Sequence, residues 1–263
     1  MATAQDENTG DPDLSGFGEN AAARLKEALE KDEFTLYCQP IAALDGPERF
    51  PLGEVLVRMR EEEKAMLPPG EFLPVFEHFR MMPQLDRWVV RHLARRLAKG
   101  SRIPCFTMNV STQTLADAQF PPFVREELKA AGVAVDSLVF EIDEPDVLQN
   151  ADLVARFVAA MKVVGAGVLI DGFGHKSVSF TPLRTVGAHF VKVDGSIVRK
   201  ILTSELARTK LDAILRVAKS INLGVIAECV EEQEIFVRLK TLGVGYAQGF
   251  GIVQPQPIDK IAG

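Results

Sequence analysis

Cysteine is scarce: the 263 residues hold three, Cys38, Cys105 and Cys229, with no C-x-x-C pair among them. That excludes a disulfide framework and a cysteine-built zinc site, and makes a reducing cytoplasm the simplest home. The three read instead as small buried hydrophobes, none placed as a nucleophile. Positive charge is not in excess, with 30 Lys and Arg against 36 Asp and Glu. A strongly basic nucleic-acid binder is therefore excluded, and no DNA or RNA partner is expected. Long apolar runs are missing too. The most apolar stretch, 153–170, is broken by Arg156, Lys162, Gly165 and Gly167, and reads as an amphipathic helix, a turn and a strand. No membrane span is expected, and the acidic N-terminus has no apolar core for secretion. The four histidines show no ligand spacing, and there is no H-R-D-type kinase loop, Walker glycine loop or G-x-S-x-G elbow.

What is present is the pattern of a globular α/β protein. Residues 1–18 are polar and rich in Gly and Asp, which predicts a flexible leader, and 19–263 read as one domain. Eight β-like runs begin near Phe34, Gly53, Cys105, Leu138, Gly167, His189, Leu223 and Val244. Helical patterns lie between them. Leu85, Trp88, Val89, Leu93 and Leu97 form one apolar face, and Leu153, Phe157 and Met161 another. Such alternation over about 240 residues predicts a parallel sheet closed into a TIM-like (β/α)8 barrel, with an open doubly wound sheet as the structural alternative.

Most of these runs end in a polar residue: Asn109, Glu141, Asp171, Lys192 with Asp194, Glu228 and Gln248. Glu54, Leu56 and Arg58, spaced by two, share one strand face. Any single acid in such a place is more often a helix N-cap than a ligand. Successive runs doing the same, some with Lys or Gln, are hard to assign to capping. In a barrel these ends surround one mouth, where four acids and an Asn repel unless a cation neutralises them. Oxygen ligands point to Mg²⁺ or Mn²⁺.

The ordered set of motifs resembles the EAL domain family, which binds and hydrolyses the bacterial second messenger cyclic di-GMP. It covers roughly residues 20–258 and comprises Gln39-Pro40-Ile41, then Glu54-Val55-Leu56 with Arg58, LPPGEFLP, DRWVV and Asn109-Val110-Ser111. It continues with Glu141-Ile142-Asp143-Glu144, Lys192-Val193-Asp194, Ala227-Glu228-Cys229-Val230-Glu231 and Gln248-Gly249-Phe250. The resemblance implies a barrel with one strand reversed and a two-metal phosphodiesterase site. Glu54, Asn109, Glu141 and Asp171 would hold the first Mg²⁺ or Mn²⁺. Glu54, Lys192 and Glu228 would be catalytic, Lys192 at the attacking water or phosphate and Glu228 at the second metal. Gln39, Leu56, Arg58, Asp194, Glu231 and Gln248 would meet the ligand.

The sequence departs from the family's pattern in several places. The family's D-D-F-G is Asp171-Gly172-Phe173-Gly174, so the second acid, a second-metal ligand, is a glycine. The loop that follows, which in the family orders the metal site, takes part in dimers and is held by the acid at Glu144, reads His175-Lys176-Ser177-Val178-Ser179. The commoner K-I-D-R-S is K-V-D-G-S, with Gly195 in place of Arg, a milder change. The resemblance therefore implies a cyclic di-GMP receptor with weak or absent hydrolysis, signalling to a protein partner and able to form a homodimer. The alternatives are an active phosphodiesterase yielding pGpG and a nucleotide-independent interaction module.

Overall fold

The computed structural model describes residues 20–46, 49–60, 66–175 and 179–261. The leader expected over 1–18 lies outside them, as do Lys176, Ser177 and Val178. Ten strands form one sheet: β1 (Phe34–Ala43), β2 (Leu52–Arg60), β3 (Met66–Leu67), β4 (Cys105–Asn109), β5 (Leu138–Asp143), β6 (Gly167–Phe173), β7 (Phe190–Val193), β8 (Gly224–Ala227), β9 (Tyr246–Ala247) and β10 (Gln256–Pro257). Strands β2, β4, β5, β6, β7, β8 and β9 pair in parallel in that order. Strand β1 closes the ring by pairing antiparallel with both β2 and β9. The eight ring strands match the eight sequence runs, β1 is the reversed one, and the open-sheet alternative is overturned. Strands β3 and β10 are two-residue antiparallel additions to β2 and β1.

The reversal follows from chain length. Residues 44–51 join β1 to β2, too few for the crossover helix that a parallel neighbour requires, so the two strands form a hairpin. Elsewhere helices intervene, including Met82–Leu97, Phe120–Ala131, Ala151–Val164, Glu205–Ser220 and Gln233–Thr241. Their apolar faces supply the main core between ring and helices, with Leu85, Trp88, Val89 and Leu93 buried from the first of them. Burying that much apolar surface, at about 25 cal/mol per Å², is the main force behind the fold.

One acid breaks the apolar pattern. Asp86 lies on the buried face of helix Met82–Leu97 and is 4% exposed. Its Oδ2 accepts from the Ser111 N–H at 3.2 Å, the Ser111 hydroxyl at 2.9 Å and the Thr114 hydroxyl at 2.6 Å. It thus ties that helix to the turn that follows Asn109 at the end of β4. Burial pushes the Asp86 carboxyl up to about 6, against the pull of those hydrogen bonds. The unfolded chain releases this proton near pH 4 and the folded chain near pH 6, so the group's contribution to stability falls as pH rises between them. The loss amounts to about 3 kcal/mol. We expect Asp86→Asn, which keeps the acceptor and lacks the charge, to flatten that slope. Urea midpoints of both proteins from pH 4 to 7 check this, and parallel curves would refute it.

Candidate functional site

The barrel interior is built in tiers, one residue per ring strand. The lower tier is a small apolar cluster of Ile41, Leu52, Val139, Leu169 and Ile226, with Cys105, Phe190 and Tyr246 packed against it. Side chains alternate across a strand, so the next inward residue lies two positions along. That rule gives Glu54, Thr107, Glu141, Asp171, Lys192, Glu228 and Gln248, and, two positions back along reversed β1, Gln39. Every member of the upper tier is polar. Apolar positions below and polar ones above put a charged layer at the carboxyl ends of the parallel strands.

Lys192 organises this layer. Its side chain is 2% exposed, and its Nζ lies 2.5 Å from Glu141 Oε2, 2.9 Å from Glu54 Oε2 and 3.9 Å from Asp171 Oδ1. Gln248 Nε2 donates to Glu54 Oε2 at 2.6 Å and to Gln39 Oε1 at 3.1 Å, and Asn109 Nδ2 donates to Glu54 Oε1 at 3.2 Å. Gln39 Nε2 in turn donates to the Val253 carbonyl at 3.0 Å. Besides any external cation, the chain supplies these acids with a buried ammonium of its own. Among the described residues no three acids, histidines or cysteines are grouped to hold one metal ion directly.

The charges divide unevenly. Burial would raise the Glu54 carboxyl, but the Lys192 charge and the hydrogen bonds from Gln248, Lys192 and Asn109 hold it below its ordinary value. Glu141, 1% exposed, is pushed well above its ordinary value by burial, with Lys192 opposing and the charges of Glu54 and Asp171 adding. Its Oε1 is buried with no hydrogen-bond partner. Asp171 is raised by burial. Glu228 is pushed up to about 7, by burial first and the Asp171 charge second, and its Oε1 accepts from the Gly195 N–H at 2.7 Å. Lys192 is driven well above its ordinary value, because the charges of Asp171, Glu141 and Glu54 overcome the effect of burial.

Asp171 and Gly172 sit in a bulge. Ile170 is opposite Val191 and Phe173 opposite Val193, so β6 carries one residue more than β7 over this stretch. Gly172 takes up the irregularity at φ +65°, and a Cβ there would meet nothing within 4 Å among the described residues. Absence of a carboxylate at this position is therefore not imposed by crowding. Asp171 is anchored locally, its Oδ1 accepting from the Gly172 N–H at 2.9 Å. Glu144 Oε2 accepts from the Gly174 N–H at 3.1 Å, which ties the start of the following loop to the helix after β5.

The remaining expected residues lie on the rim. Arg58 is half-buried, its guanidinium 5.7 Å over the Tyr37 ring and donating to the Val57 carbonyl at 2.9 Å. Leu56 faces a cavity of about 350 Å³ beside the mouth, whose lining includes Asn109, Asp86, Asp143 and Met82. Asp194 fulfils the capping alternative: its Oδ1 accepts from the Ser196 N–H at 2.8 Å, and its Oδ2 is 3.3 Å from His175 Nδ1. Glu231 is exposed and stands apart from the inner tier, with Arg199 Nε 3.9 Å away. Cys38 is buried as expected, but Cys105 and Cys229 are only half-buried, which corrects the reading of all three as core residues. Sequence reasoning assigned nothing to Thr107, Asp86 or Asp143. The strand alternation that places Glu54 and Glu141 also places Thr107, and Asp86 is an acid on an apolar helix face.

An α/β barrel with one reversed strand and a mouth of carboxylates around a buried lysine defines the class of protein. The chain belongs to the EAL domain family, which it matches over residues 22–255. It is 32% identical over 238 residues to the cyclic di-GMP phosphodiesterase PdeF of Escherichia coli, an alignment covering 89% of this chain and 32% of that protein. To the cyclic di-GMP phosphodiesterase PdeB of Shewanella oneidensis it is 30% identical over 240 residues, covering 90% and 28%. The chain thus spans about a third of the length of these relatives. The FimX EAL domain of Pseudomonas aeruginosa, bound to c-di-GMP, superposes with a TM-score of 0.84 at 27% identity, covering 91% of this chain and 97% of that one. The c-di-GMP complex of the Xanthomonas citri FimX EAL domain gives 0.82 at 25% identity, covering 90% and 93%. Among the described residues no helix is long and apolar enough to cross a membrane.

We expect Lys192→Met to lower stability by about 3–5 kcal/mol, because it strands buried carboxylates. Lys192→Met with Glu141→Gln should recover part of that loss. Chemical denaturation of the two variants checks both statements, and equal instability of single and double variants would refute the pairing.

Proposed function

We propose that this chain is a cyclic di-GMP receptor of the EAL type, with slow or absent hydrolysis, that passes nucleotide occupancy to a protein partner. The observation carrying the proposal is the contrast within one mouth. Glu54, Asn109, Glu141, Asp171, Arg58, Gln39 and Gln248 are all at or beside the mouth, while bulge position 172 is a glycine with open space around it. The c-di-GMP complexes of two FimX EAL domains with this fold support the choice of ligand.

The donor set is of the oxygen type that a hard divalent cation takes, although in this structure Lys192 stands among its acids and no three of them, among the described residues, are grouped around one point. Three carboxyl groups, those of Glu54, Glu141 and Asp171, face the Lys192 ammonium at 3.9 Å or less, and Glu141 Oε1 is a buried acceptor without a partner among the described residues. Glu54, Asn109, Glu141 and Asp171 would hold Mg²⁺ or Mn²⁺, and a bound ion supplies charge neutralisation for an anionic phosphodiester and an activated water. The chain's own residues do the rest. Arg58 pairs with a phosphate, Leu56 packs on the ligand beside the adjoining cavity, and Gln39 and Gln248 fix the orientation of Glu54. Asp194, Glu231 and Lys192 complete the polar surroundings, and Glu228 is the remaining acid for moving a proton. A second ion lacks the carboxylate that position 172 would supply, and this weakens cleavage more than binding.

The second reading, an active phosphodiesterase giving pGpG, is favoured by the identity to two proteins named as such and by the intact hydrogen-bonded set around Glu54.

Calorimetry with cyclic di-GMP and Mn²⁺ should give binding that Arg58→Ala weakens by roughly 1.5–3 kcal/mol, the worth of a charged hydrogen bond. No heat with wild type would overturn receptor and enzyme readings together. Chromatography of nucleotides should show slow or no pGpG from wild type and more from Gly172→Asp. Asp tolerates the left-handed backbone better than most residues, and there is room for its side chain. Brisk wild-type turnover abolished by Glu54→Ala would establish the second reading instead.

A further inference from the structure

Gly195 and Cys229 are far apart in sequence and are packed against each other in the structure. Gly195 is buried at the start of the short helix Gly195–Val198, after β7. Cys229 follows β8 and has φ +56°, the left-handed region that glycine occupies freely and a cysteine rarely. A Cβ built on Gly195 would come 2.8 Å from Cys229 Sγ and 2.9 Å from Cys229 Cβ. It would also come 3.1 Å from Nη1 of Arg199. The first two contacts are closer than real Cβ atoms approach, and neither can be relieved by swinging a long side chain away. The cysteine occupies the volume that any side chain at 195 would need.

The same junction holds Glu228. The Gly195 N–H donates to Glu228 Oε1 at 2.7 Å, and the Glu228 N–H donates to the Val193 carbonyl at 3.3 Å. The backbone behind is packed closely as well. Val230 N–H donates to the Gln248 carbonyl at 2.9 Å, and a Cβ on Gly249 would collide with the Val230 backbone. Residue 229 therefore cannot retreat from Gly195 without disturbing the turn that carries Glu228.

We propose that Gly195 and Cys229 form a size-matched pair in which Cys229 is a positioning residue, seating the Gly195 peptide so that its N–H holds the Glu228 carboxylate. Only the use to which Glu228 is put rests on the proposed function; the pairing itself stands on packing.

The test uses the whole 263-residue chain. A double-mutant cycle of Gly195→Ala, Cys229→Gly and both together is followed by urea unfolding. The single Gly195→Ala change should lower the folding equilibrium constant roughly tenfold or more, and adding Cys229→Gly should restore it, a coupling of about fivefold or greater. Additive effects overturn the proposal. If Gly195→Ala does not fold, rescue by Cys229→Gly decides the cycle: a folded double variant supports the pair, and an unfolded one refutes it. Packing alone would not require an effect on the carboxylate, so a second readout follows the Gly195 amide in ¹⁵N-glycine-labelled protein. Glu228→Gln and Cys229→Gly should both shift that signal, and Cys229→Ser, of nearly the same volume, should leave it in place. An amide that responds to Glu228→Gln but not to Cys229→Gly overturns the positioning role. Neither readout needs nucleotide, so failure of wild type to bind cyclic di-GMP would refute the functional reading and leave this one decided on its own terms.

Discussion

A single buried ammonium decides what the mouth of this barrel can be. Lys192 is fully enclosed, yet its charge is sustained because Glu141 and Glu54 lie within ion-pair distance and Asp171 just inside it. An isolated lysine at that depth would lose its proton, and isolated carboxylates would retain theirs. Together they are compatible with burial, and the hydrogen bonds from Gln248 and Asn109 satisfy what the lysine leaves open on Glu54. Replacing such a cluster with apolar residues of similar volume is often neutral or stabilising. A buried network of this kind, directly above an apolar floor, is better explained by the chemistry of the mouth than by stability.

Much of this was legible from residue spacing. Strand alternation converts Leu52, Val139, Leu169 and Ile226 below into Glu54, Glu141, Asp171 and Glu228 above, with no knowledge of the fold beyond which end is which. The reversed β1 obeys the same rule read backwards, from Ile41 to Gln39. What spacing could not give is pairing across the ring. That Lys192 is spent on Glu141 and Glu54, or that Asp194 caps a helix, depends on side chains brought together from separate strands. A residue's type says what it can do, and its neighbours decide which of those things it does.

The bulge in β6 illustrates the limit from the other side. The sequence shows a glycine where the family carries an acid, and from that alone crowding would explain the loss as well as chemistry would. The structure removes crowding, because the space around position 172 is open. The left-handed backbone there costs a non-glycine residue roughly 1–2 kcal/mol, and less for Asp than for most. That is small beside the interactions that hold the ring, so local strain is a weak reason for glycine.

Binding and cleavage make different demands on such a mouth. On the proposed reading, binding a dianionic nucleotide would draw on positive charge and shape at the rim, from Arg58 and Leu56, and on at most one neutralising ion below. Cleavage also needs charge placed on both the attacking and the leaving oxygen as they develop, which is the work of a second ion. On that reading, a glycine at the bulge would bear on the second requirement more than on the first. On the proposed reading the rim residues Arg58 and Leu56 lie on β2, while Asp171 and Gly172 lie on β6. A barrel arranged this way would let a change at residue 172 act on β6 without touching Arg58 or Leu56 on β2, while the Gly172 N–H goes on anchoring the Asp171 carboxylate.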